Sequence, residues 1–93
     1  MKITDSTIIT FPSEVGVEPG SFEFYNSIQE AAYYLGVNPR NIYRAIKNRT
    51  SDRRGFSWYM AKEVISDAKG MVEVGIHTQE WFQKCFGNIE NID

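Results

Sequence analysis

"SIQEAAYYLGVNPRNIYRAIKNR", residues 27–49, is the stretch whose reading decides the fold. Ser27 followed by Glu30 fits a capping box, in which the serine oxygen takes a free backbone N–H at a helix start and the glutamate carboxylate returns to the serine N–H. Ile28, Ala31, Ala32 and Leu35 then recur at helical spacing, and Gly36 suits the left-handed residue that ends a helix. Asn38 is a good N-cap, and Pro39 stands at a first helical position, where its missing N–H has no intrahelical partner to lose. A second helix over Pro39–Asn48 puts Ile42, Ala45 and Ile46 on one face, leaving Arg40, Asn41, Tyr43, Arg44 and Lys47 on the others. Small Ala32 permits a close crossing, Gly36 turns the chain, and Val37 with Ile42 is expected to plug the gap between the helices. Together these positions satisfy the spacing of a helix-turn-helix.

Working outward, residues 3–11 are rich in β-branched side chains and read as a strand. Pro12, Gly16, Pro19 and Gly20 mark a loop before a short second strand at residues 21–25. Beyond the helix pair, residues 50–55 form a turn and residues 56–60 an aromatic-rich strand. That last strand is expected to pair with the one just before Ser27, which would carry the basic turn beside the second helix as a wing. Residues 71–76 read as a further strand, and Thr78 as the cap of a helix with Trp81, Phe82, Cys85, Phe86 and Ile89 in one apolar stripe. The stripe either packs on its own domain or offers Trp81, Phe82 and Phe86 to a second copy or a partner.

The expected fold is therefore α+β: a small winged-helix-like domain, a helix-turn-helix flanked by short strands, with a C-terminal helix. A chain of 93 residues allows one compact domain. Residues 24–61 are its helix-turn-helix module and residues 62–93 a strand-and-helix extension. Cys85 is the only cysteine, which excludes an intramolecular disulfide and a cysteine-cluster zinc site and fits a reducing, cytoplasmic setting. No apolar run suits a signal peptide or a membrane span.

The formal net charge of −2 conceals a strong asymmetry. Between Asn38 and Lys62 seven basic residues face Asp52 alone, for a balance of +6, while the rest of the chain carries three bases against eleven acids, a balance of −8. One side of a small domain is then basic, and local potential governs attraction to phosphate more than the total does.

The longer segment "FYNSIQEAAYYLGVNPRNIYRAIKNRTSDRRGFSWYMA", residues 24–61, resembles the nuclease-associated modular DNA-binding domain, also called the intron-encoded nuclease repeat motif. The likeness rests on Ser27, on "EAA" at residues 30–32, on "LGV" at residues 35–37, on Ile42 with Ile46, and on "GFSW" at residues 55–58. The resemblance implies a phage or mobile-element origin and a module that grips duplex DNA while a separate domain of a homing endonuclease cuts it. His77 is the only histidine, so no HNH-type cluster is present, and no GIY-YIG strand pair is found. Binding without catalysis, metal or cofactor is expected.

On a helix lying in the major groove, Arg40 and Arg44 suit guanine and Asn41 suits adenine through paired hydrogen bonds. Lys47, Arg49, Arg53 and Arg54 are the expected phosphate contacts. Cys85, set in the apolar stripe, is expected to be structural, and Tyr33 and Tyr34 are secondary candidates for contact with phosphate or a partner. The competing reading is a small phage-type effector that uses the same fold to bind a host protein, supported by the −8 balance and the aromatic tail.

Overall fold

The computed structural model describes residues 1–89, so residues 90–93 of the expected 1–93 domain lie outside the described residues. In chain order the elements are β1 (Ile8–Pro12), β2 (Glu23–Tyr25), α1 (Ile28–Leu35), α2 (Pro39–Asn48), β3 (Phe56–Met60), α3 (Ala61–Glu73) and α4 (Gln79–Phe86). The fold is α+β, with a helix-turn-helix between short strands and a helix at the C-terminal end.

The helix pair forms where its caps are. Ser27 Oγ accepts from the Glu30 N–H at 3.0 Å, and Asn38 Oδ1 accepts from the Arg40 N–H at 2.9 Å. Glu30 departs from the expected box: its carboxylate takes the N–H of Asn26 at 2.6 Å in place of that of Ser27. Gly36 adopts φ 67°, ψ 33°, the left-handed end of α1.

The sheet corrects the expected pairing. Its order is β2-β1-β3, both pairs antiparallel, so β1 separates the two strands that were expected to be neighbours. The physical reason is burial: Ile8 and Ile9 lose all exposure, one on each face, and only a central strand is covered on both sides. Alternation along the strands then sorts the side chains. Ile8, Tyr25, Trp58 and Met60 join Ala31, Ala32, Ile42 and Ala45 under α1 and α2, whereas Ile9, Phe11, Phe24 and Tyr59 join Ala61, Ile65, Ala68 and Phe86 under α3 and α4. The molecule is a three-layer sandwich, helix pair on sheet on helix pair.

Residues 71–76 are not a strand. Ala61, Ile65, Ala68 and Val72 fall at helical spacing and pack on the sheet, so α3 continues to Glu73 before Gly75 turns the chain at φ 81°. The first strand is also shorter than residues 3–11, because Thr7 Oγ1 takes the Thr4 N–H at 2.9 Å and makes a turn before Ile8. Val37 does not plug the helix crossing: it remains 38 % exposed, and Ile42 fills that position with Trp58 behind it.

The C-terminal stripe packs on its own domain. Thr78 Oγ1 caps α4 by accepting from the Trp81 N–H at 3.1 Å, and Phe82 and Phe86 are buried against Ile9, Ile65 and Phe22. Trp81, Cys85 and Ile89 pack against the same cluster. Of the three residues expected as a partner face, Phe82 and Phe86 are buried in this core, whereas Trp81 is only half-buried.

Candidate nucleic-acid interface

Helix α2 is anchored by Ile42 and Ala45 and turns its opposite side to solvent. Arg40, Arg44 and Lys47, spaced i, i+4 and i+7, form one exposed basic stripe along that side. Asn41 lies on the flank toward the turn at residues 50–55. Between this flank and the turn runs a groove of about 290 Å³ whose lining includes Asn41, Arg44, Asp52, Arg53, Arg54 and Trp58.

The turn is held by Asp52. Its carboxylate accepts from the backbone N–H groups of Arg54 at 2.8 Å and Phe56 at 3.0 Å, from the Arg54 guanidinium at 3.1 Å and from the indole Nε1–H of buried Trp58 at 2.9 Å. Burial acts to raise the Asp52 pKa, but these hydrogen bonds outweigh it and hold the carboxyl below its usual 3.8. A second tie runs through hydroxyls, with Ser13 Oγ 2.6 Å from both Ser51 Oγ and Ser57 Oγ. The basic loop is thus fixed to the sheet at both of its ends.

The seven expected contact residues do not share one fate. Asn41, Arg44, Arg53 and Arg54 come together in the groove, and Arg40 and Lys47 extend its basic stripe along α2. Among the described residues, Arg40, Arg44, Lys47 and Arg53 have no acidic side chain within ion-pair distance. Arg54 is paired with Asp52 and lies over the Phe56 ring at 4.5 Å. Arg49 sits apart: it is the left-handed C-cap of α2 at φ 54°, pairs with Glu63 at 2.6 Å and lines a groove on the α3 side of the sheet.

Asp52, in the sequence only a counter-charge to the basic segment, is the residue that holds the basic turn in place. The available signal was its place two residues before Arg54 and four before Phe56, the spacing at which an aspartate side chain caps its own turn. Tyr33 and Tyr34 remain on the surface, 84 % and 69 % exposed, with their rings edge-to-face at 5.7 Å. Burial and nearby Glu18 push the Cys85 thiol up to about 11, away from thiolate chemistry. Among the described residues no three His, Cys, Asp or Glu side chains converge as a metal ion would need.

The chain matches no family model, no curated protein and no solved structure. Among the described residues no helix is long and apolar enough to cross a membrane.

Proposed function

We propose that this protein binds duplex DNA, with α2 in the major groove and the turn at residues 50–55 against the adjoining backbone, and that it performs no catalysis. The observation that carries the reading is the groove that unites Asn41 and Arg44 of α2 with Arg53 and Arg54 of the turn. A guanidinium without an in-chain acid is available to a base edge or a phosphate at no cost in broken ion pairs, which favours Arg40, Arg44 and Arg53 as the first contacts and Lys47 as a phosphate contact. Arg54 must give up or share Asp52 to reach a phosphate. The likeness of residues 24–61 to the nuclease-associated DNA-binding module adds support, together with a phage or mobile-element origin and a cytoplasmic setting.

The competing reading, an effector that binds a host protein through the same fold, retains the acidic remainder of the chain, while Phe82 and Phe86 of the aromatic tail are buried in the core. Fluorescence anisotropy with random-sequence duplex DNA across a salt series separates the two. Three phosphate contacts, Lys47, Arg53 and Arg54, give a slope of log affinity on log salt of roughly −3. A slope near zero, or no binding at low salt, excludes the DNA reading.

A further inference from the structure

The second groove lies across the sheet from the first, on the α3 and α4 face, and shares no lining residue with it. Its volume is about 460 Å³, and Phe11, Tyr59 and Val64 line it as apolar surface. Val15 and Met71 stand at its edge and remain exposed, and Val74 and Ile76, next along the chain, are 72 % and 68 % exposed. The same groove is also lined by Glu18 and Asp67. Arg49 is the one lysine or arginine among the residues lining it; it pairs with Glu63 at 2.6 Å and is held by the charge of Asp67 as well. Trp81, stacked on His77 at 3.8 Å, forms part of the wall, and its indole Nε1–H is buried without a hydrogen-bond partner.

We infer that this groove receives a short segment of a partner protein in which a lysine or arginine stands beside apolar side chains. The apolar lining takes the aliphatic residues, and the Glu18 and Asp67 carboxylates take the cation. Charge complementarity selects this occupant. A nucleic acid or an acidic segment is repelled by the two carboxylates, and a purely apolar segment makes no use of their charge. Because the two grooves lie on opposite faces of the sheet, the partner segment and the ligand of the α2 face can be held at once. The inference stands whether or not that ligand is DNA.

The test is a 15N-resolved NMR titration of the full chain with the blocked peptide acetyl-Leu-Arg-Leu-Leu-amide and with its twin carrying glutamate in place of arginine. The expected result is saturable shifts of the Trp81 indole and of the Tyr59, Met71 and His77 amides with the arginine peptide only. Combining Glu18→Gln with Asp67→Asn, both exposed in the free protein, should weaken that binding by about two- to five-fold per charge removed, the range of an exposed ion pair, and leave duplex-DNA affinity unchanged. Three outcomes overturn the inference: no shifts at these residues, equal shifts with the glutamate peptide, or concentration-dependent shifts at the same residues without peptide, which would make a second copy the occupant.

Discussion

The carboxylate of Asp52 accepts the indole N–H of Trp58 at 2.9 Å, and Trp58 is 1 % exposed at the centre of the core beneath α1 and α2. A single hydrogen bond thereby joins the basic turn to the packing that positions α2. Asp52→Ala removes the acceptor and leaves that indole N–H buried and unpaired, at a cost of about 1–3 kcal/mol. Thermal unfolding of the variant should show that loss, and Trp58→Phe, which deletes donor and penalty together, should rescue part of it when combined with Asp52→Ala.

The same contact sets an acid limit. A carboxyl whose pKa is lower folded than unfolded contributes stability that is complete above its unfolded value and drains away as pH falls through the folded one. Asp52 lies below 3.8 in the folded protein, so part of the stability should be lost as pH drops beneath 3.8. Melting temperature followed from pH 6 downward should fall less steeply in Asp52→Asn, which carries no titrating group at that position.

Arg44 and Arg53 share the groove but differ in the proposed role. Arg44→Ala should cost on the order of 1–3 kcal/mol on a preferred duplex site and little on random DNA. Arg53→Ala should weaken both alike and reduce the salt slope by about 0.9. Arg49→Ala, which breaks a pair with Glu63 on the other side of the sheet, should change DNA affinity less than Arg53→Ala does. Equal losses from all three would assign the binding to general charge alone.

Gly36 tests the helix turn. A β-carbon built there meets no atom within 4 Å, so the penalty for a side chain is conformational and comes from φ 67°. Gly36→Val should destabilise by roughly 1–2 kcal/mol or more, while Gly36→Asn, tolerated in the left-handed region, should lie closer to the parent. Calorimetry that finds the valine variant unchanged would contradict the role of this turn.

Purified protein should leave supercoiled plasmid intact in magnesium or manganese at concentrations that retard it on a gel. Dose-dependent nicking that disappears on mutation of an acidic residue of this chain would establish a nuclease instead.

The local elements are legible in the sequence. Ser27, Gly36, Asn38 and Pro39 act within a few residues of themselves, so both helices of the central pair, including the bounds Pro39–Asn48, follow from the sequence alone. Residues 71–76 misled for the opposite reason. Their alternating valines and isoleucine suit a strand, and only the seat of Ala61, Ile65, Ala68 and Val72 on the sheet makes most of that stretch helical.

What the sequence by itself determined is the helix-turn-helix, its caps and the clustering of seven bases between Asn38 and Lys62, because capping, helical periodicity and charge are properties of near neighbours. Tertiary structure alone decided that β1 lies between β2 and β3, that α4 spends its aromatic stripe on the core, that Arg49 leaves the basic group for Glu63, and that Asp52 holds the turn. Each of those outcomes is a choice among partners far apart along the chain, and the choice is made by which arrangement buries the most apolar surface while leaving the fewest polar groups unpaired.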